Sequence, residues 1–173
     1  MLKVFRTSLL ALMLAAFISP LAAQELPLVS DLQKDGQESQ ARGLPIMVFF
    51  MSNGCPYCEE VRKLYLEPMY RDGEYRNKII MRVINIDSGD YMRDFNGKRT
   101  DHISFADSQG ASFTPVIKFY DYRGNELVQE MLGYSTPDFY QAYLEGSIRG
   151  SIDKLKQRKT ATTSGTPGAQ PVS

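Results

Sequence analysis

The chain of 173 residues has no tryptophan, one histidine and two cysteines, and its 20 basic and 20 acidic side chains cancel. Each scarcity excludes something. Two cysteines cannot frame a disulfide-dense mini-scaffold. They cannot supply a four-thiolate zinc site within one chain, and adding His102 gives three ligands at most, so no metal and no cofactor is expected. A zero net charge leaves no global basic field to hold nucleic acid. No internal repeat suggests a solenoid. What remains is ordinary for a globular protein: 43% apolar and 23% charged residues in about one domain's length.

The first residues read as an address. Lys3 and Arg6 precede an apolar run from Leu9 to Ile18, Pro20 breaks it, and Leu21-Ala22-Ala23 leads into a polar stretch. That order is the pattern of a secretory signal, cleaved after Ala23. An uncleaved anchor is the alternative, but Ser8 to Ala23 falls short of the ~20 apolar residues of a span. Losing Lys3 and Arg6 leaves 150 residues with a formal charge of −2. The compartment implied is one where disulfides persist. No Asn-x-Ser/Thr acceptor or ER-retention tail is present, and a bacterial periplasm fits best. At the other end, residues 160–173 hold Thr, Ser, Gly, Ala, Pro and Gln, too little apolar surface to offset ordering, and are expected to be a disordered tail.

Between them, residues 24–159 form the expected single domain. Ser30 is a possible cap for a helix over Leu32 to Arg42, weakened by Gly36. Pro45 to Met51 (PIMVFFM) is a short apolar run suited to a strand buried on both faces. Pro56 suits the first turn of a helix, with Val61, Leu64 and Tyr65 at helical spacing, and Pro68 ends or kinks it. Lys78 to Asp87 reads as a second strand. The connection 88–113 contains a turn at Asn96-Gly97 and a short helix from about Asp101. Val116 to Tyr120 is a third strand, and Glu126 to Leu132 returns through Arg123-Gly124-Asn125 as a fourth. Ser135 or Thr136 caps a last helix that begins at Pro137. Phe139, Tyr140, Tyr143 and Leu144 lie on its buried face, and Gly146 and Gly150 are possible interruptions. A β-α-β unit makes a parallel pair and a hairpin adds antiparallel strands. The expected fold is α/β, a mixed sheet of four strands (or five) with helices on both faces.

The chemistry lies at Cys55-Pro56-Tyr57-Cys58, where the first strand meets its helix. The positive end of the helix would stabilise a Cys55 thiolate and lower its pKa. Cys58, one turn on, can reach the Cys55 sulfur, and Pro56 stiffens the loop. A plain stabilising disulfide is a weaker reading, since so small a loop restricts the unfolded chain little. Thr114-Pro115 is the second feature. Proline leading a strand is ordinarily punctuation. A cis bond there would bring the Thr114 backbone toward the sulfurs and leave its N–H and C=O for an extended substrate.

Taken together, these residues resemble the thioredoxin superfamily from about Gly43 to Ile148. The matching features are the PIMVFF strand, the Cys motif, Thr114-Pro115, the hairpin through Gly124 and the Gly133-Tyr134 step. The secretory start and leading helix resemble secreted bacterial thioredoxin-like thiol–disulfide oxidoreductases. The resemblance implies Cys55 as attacking thiol, Cys58 as resolving thiol and Pro115 as a cis proline. Two departures stand out: Phe49 occupies the position of a buried acid six residues before the first Cys, and no Trp precedes the motif. Water, Glu59 or Glu60 would then receive the resolving thiol's proton, although both glutamates read as solvated helix charges. The Pro-Tyr pair resembles glutaredoxins, whose potentials lie near −200 to −230 mV against about −270 mV for thioredoxin.

The expected activity is reduction of protein disulfides by dithiol exchange, with a protein thiol or disulfide as substrate and a membrane or periplasmic redox partner. The alternatives are an oxidase or isomerase and a redox-inactive binding or assembly protein. Tyr57 is expected at the rim of the site. His102 reads as a polar loop or helix residue, and Arg93, Lys98 and Arg99 as a solvated cluster. The 88–113 connection is long enough to set partner specificity.

Overall fold

A computed structural model describes residues 25–164. The expected signal, residues 1–23, and the tail beyond residue 164 lie outside the described residues.

Helix α1 (Leu32–Arg42) is capped by Asp31, whose carboxylate accepts the Lys34 N–H at 2.9 Å. The cap is therefore one residue later than Ser30. Strand β1 (Ile46–Met51) is followed by α2 (Pro56–Val61), a π-helical stretch (Arg62–Leu66) and α3 (Glu67–Arg71). Pro68 explains the change of winding. It has no N–H for the α-helical bond, and its ring crowds the carbonyl a turn earlier. The backbone widens just before it, with the Glu67 N–H reaching back to Arg62 O. The proline kinks the helix rather than ending it.

A short α4 (Gly73–Arg76) leads to β2 (Ile80–Asn85). The long connection then forms a hairpin, β3 (Tyr91–Arg93) and β4 (Arg99–Asp101), followed by α5 (His102–Ser108) capped by Asp101. Strand β5 (Val116–Tyr120) and a two-residue β6 (Met131–Leu132) precede α6 (Pro137–Ser164). Among the described residues no helix is long and apolar enough to cross a membrane.

The main sheet is mixed and four-stranded, in the order β2-β1-β5-β6. β1 runs parallel to β2 and antiparallel to β5, so the parallel pair is as the chain order implied. The segment before α1 touches the outer edge of β2 through a single bridge, Leu28 to Val83. Alternation along the strands feeds two cores. Met47, Phe49, Met81, Val83, Ile117 and Phe119 face α2, α3 and α6. Ile46, Val48, Phe50, Ile84, Val116 and Tyr120 face α1 and α5. Helices thus cover both faces, and β1 is buried from Ile46 to Phe50 because it has a layer on each side.

Three expectations are corrected. The fourth strand shrinks from Glu126–Leu132 to two residues. The start of the returning chain keeps a single backbone bridge to β5, Tyr120 to Glu126, with the Leu127 N–H on Phe119 O at 2.8 Å. Side chains add to it: buried Lys118 binds Glu126 at 2.9 Å, Glu130 at 2.7 Å and the Gln109 carbonyl at 2.7 Å. On α6, Tyr140 and Leu144 are buried, but Phe139 and Tyr143 are 60% and 57% exposed. The buried stripe runs Tyr140, Leu144, Ile148, Ser151, Leu155, and positions 139 and 143 lie about 100° around the helix from it. The helix also passes through Gly146 and Gly150 and on through residues 160–164, which were expected to begin the tail.

Candidate functional site

β1 delivers the chain to a four-residue turn, Ser52 to Cys55. Gly54 takes φ +67°, the left-handed region that glycine enters without strain. Cys55 then caps α2, and its Sγ accepts the Cys58 N–H at 3.1 Å. Pro56 occupies the first helical position, where no N–H is missed. Cys55 and Cys58 form a disulfide, with Cα atoms 5.3 Å apart. The two sulfur-bearing residues differ in environment. Cys55 is half-buried, whereas Cys58 is 0% exposed and packed in the apolar core that includes Phe49, Val61 and Ile117. One partner can be approached from outside and the other sits behind it.

The turn is held from two sides. Toward β2, the Asn53 N–H donates to Asp87 Oδ2 at 2.7 Å, and Asn85 Nδ2 donates to Asn53 Oδ1 at 2.9 Å. The Asp87 N–H in turn donates to Asn85 Oδ1 at 3.0 Å. Toward β5, the Ser52 and Thr114 hydroxyls are hydrogen-bonded at 2.6 Å. The Thr114-Pro115 peptide is cis. Pro115 O accepts the Gly133 N–H at 2.8 Å, which ties the Gly133-Tyr134 step to the same loop. Tyr57, 60% exposed, lies 6.4 Å from the Tyr134 ring, so the step also borders the cysteine turn. Cys55, Pro56, Tyr57, Cys58, Thr114 and Pro115 are therefore carried by adjoining segments.

Behind Tyr134 stands a group of phenols. Tyr65 and Tyr134 share a hydroxyl–hydroxyl bond at 3.1 Å, and both rings pack on Tyr140. The bond from Tyr65, with burial added, pushes the Tyr134 phenol up to about 12. The Tyr134 phenol is therefore neutral near pH 7 and supplies shape and a hydrogen bond rather than charge.

Among the described residues no carboxylate is hydrogen-bonded to Cys58. Phe49, in the position six before Cys55, is fully buried on the core face. Glu59 is bound to Arg62 at 2.7 Å and Lys63 at 3.1 Å. The hydrogen bond from Arg62 holds the Glu59 carboxyl below its ordinary range, which makes it a poor proton acceptor. Glu60 is exposed on α2.

His102 lies elsewhere. It is the first residue of α5 and 1% exposed, more deeply buried than a polar loop or helix residue would suggest. Its Nδ1 accepts the Asn85 N–H at 3.2 Å, so Nε2 carries the proton and donates to Val29 O at 2.8 Å. Of the hairpin cations, Arg93 faces Asp31 at 3.9 Å and Arg99 lies 4.0 Å over the Tyr91 ring. Among the described residues no group of three His, Cys, Asp or Glu could hold a metal ion.

Sequence reasoning missed Ser52, Asn53, Asn85, Asp87 and Tyr65. A signal for four of them was present: Ser52-Asn53 directly precedes the cysteine turn, and Asn85-Ile86-Asp87 ends a parallel strand, where open α/β sheets place their sites.

A family model described as a thioredoxin-like domain matches residues 32–147. No curated protein sequence matches the chain. Among solved structures, a thioredoxin-fold protein from Helicobacter pylori is similar at 19% identity over 68% of this chain and 81% of that one, TM-score 0.48. Fasciola hepatica thioredoxin is similar at 15% identity over 72% and 97%, TM-score 0.49. Thioredoxin O2 from Arabidopsis thaliana is similar at 18% identity over 73% and 97%, TM-score 0.46. The cysteine pair at the strand-to-helix turn supports thiol–disulfide exchange in general terms. With the family match spanning most of the chain, this protein belongs to the thioredoxin-like domain family.

Proposed function

We propose that the protein is a periplasmic thiol–disulfide oxidoreductase that reduces disulfides in other proteins. The observation that carries this reading is the asymmetric pair, a half-buried Cys55 joined to a fully buried Cys58 at the head of α2. In the reduced form the Cys58 N–H is placed to stabilise a Cys55 thiolate. That thiolate attacks a substrate disulfide, forms a mixed disulfide and expels one substrate thiolate. Cys58, deprotonated, attacks Cys55 Sγ and the second substrate thiolate leaves. Two electrons pass to the substrate, its thiolates take up protons, and the Cys55–Cys58 disulfide remains. A dithiol redox partner must then reduce that disulfide.

With no carboxylate at Phe49, water is the acceptor for the Cys58 proton. Thr114 offers its main chain to an extended substrate, and Tyr57 forms an aromatic rim. The compartment follows from the basic start and apolar run of residues 1–23, and the reductive direction from a single domain with no helical insertion among the described residues. One observation favours the oxidising alternative: the Cys58 N–H that stabilises a Cys55 thiolate also stabilises the reduced pair, which makes the couple more oxidising.

Insulin reduction with a dithiol reductant tests the reading. Cys55→Ser should abolish turnover, and Cys58→Ser should trap substrate on Cys55 as a mixed disulfide visible on a non-reducing gel. A fully active Cys55→Ser variant overturns it.

A further inference from the structure

Ser52 lies outside every strand and helix, yet the β1–β5 register fixes its place. That register pairs Ile46 with Tyr120 and Phe50 with Val116. Continued by two residues, Met51 faces Pro115 and Ser52 faces Thr114. Met51 turns its carbonyl to the β2 side, where it accepts the Ile86 N–H, and Pro115 turns its own to Gly133, so the next pair that could bond across the two strands is Ser52 with Thr114. Their main chains make no such bond within the described residues, and their hydroxyls bond across the gap at 2.6 Å instead. Thr114 is half-buried, and its own N–H and C=O make no backbone hydrogen bond within the described residues. The Ser52 hydroxyl is the hydrogen-bond partner that ties Thr114 to the cysteine turn.

We propose that Ser52 is a positioning residue for peptide capture. Its hydroxyl stands in for the ladder bond that the Ser52 and Thr114 main chains do not make, and it keeps the Thr114 main chain in register with Cys55, three residues on. An extended peptide that carries a disulfide pairs with that main chain while its sulfur meets Cys55. A small disulfide needs the sulfur alone. Ser52 therefore sets the preference for peptide disulfides over small ones. The inference rests on the redox reading above.

Single-turnover oxidation of the pre-reduced full-length protein tests it with two probes, a disulfide-bonded peptide and 5,5′-dithiobis(2-nitrobenzoate). In each reaction the Cys55–Cys58 dithiol becomes a disulfide and the probe's disulfide becomes two thiols. Ser52→Ala should lower the ratio of the two rate constants, peptide over small probe, by roughly three- to tenfold, the scale of one lost hydrogen bond. Ser52→Thr, which keeps a hydroxyl, should restore the ratio. Thr114→Val should reproduce the loss, and the double variant should lose no more than either single one, since both remove the same bond. An unmoved ratio in both single variants, an equal fall for both probes, or no rescue by threonine overturns the proposal. An unaltered protein that oxidises with neither probe overturns the redox reading itself, and this inference with it.

Discussion

Asp121 shows how much one carboxylate can organise. It closes the turn after β5, accepting the Arg123 N–H at 2.9 Å and the Asn125 N–H at 3.0 Å through Oδ1. Arg158 on α6 donates to Oδ2 at 2.7 Å, so the same residue ties the last helix to the sheet. Burial acts to raise its pKa, but the hydrogen bonds from Asn125, Arg123 and Arg158 outweigh that and hold it below the ordinary range. A carboxyl whose folded pKa is depressed binds more protons unfolded than folded. Its stabilisation is therefore complete above the unfolded value of about 4 and is lost as pH falls through the folded value. Asp121→Asn should cost about 1–3 kcal/mol at pH 7 and flatten the acid limb of the stability curve below about pH 4. Urea titrations of both proteins at several pH values check both parts. An acid limb unchanged in the variant would show that other carboxylates govern it.

At the scale of elements, two glycines in helices demand opposite outcomes from the same substitution. Read as sequence, Gly36 only weakens α1. In the fold, a Cβ there would stand 2.6 Å from the Tyr122 carbonyl oxygen, a backbone atom that no rotamer change can move. Gly146 on α6 has nothing within 4 Å of a Cβ. Gly146→Ala should gain about 1 kcal/mol of helix propensity. Gly36→Ala gains the same propensity but forces α1 off the turn, and should destabilise by about 1–2 kcal/mol net. Thermal melts of the two variants decide it by sign alone.

The contrast also marks what the chain discloses in advance. β1, β2, β5, the cysteine turn and the Thr114-Pro115 loop are legible because local pattern dictates them: apolar runs, a proline at the first helical position, a proline that leads a strand. The shortened β6 and the burial of His102 depend on partners elsewhere in the chain. Lys118 and His102 read as polar residues until Glu126 and Glu130, or Val29 and Asn85, are brought to them. The error on α6 has a different cause. Adjacent aromatics suggest one broad apolar face, but helix phase admits only Tyr140 and Leu144 of the four.

For the molecule as a whole, folding and the redox couple form one thermodynamic cycle. The difference in stability between the oxidised and dithiol proteins equals the difference in disulfide free energy between the folded and unfolded chains. Two features of the site act in opposite directions on it. The cross-link spans a sequence separation of only 3, and closing so small a loop constrains the unfolded chain by about 2 kcal/mol, favouring the oxidised protein. The Cys58 N–H directed at Cys55 Sγ stabilises a thiolate, favouring the reduced one. A reductase needs the first to prevail, because a couple whose fold prefers the dithiol is an oxidant. The oxidised protein is therefore expected to melt higher than the reduced one, by roughly 4–8 °C if loop closure dominates. Paired calorimetric scans with and without excess dithiol measure the difference directly. A reduced form that melts higher would reverse the assigned direction, making the protein a donor of disulfides, while the fold, the family and the order of attack at Cys55 and Cys58 would stand.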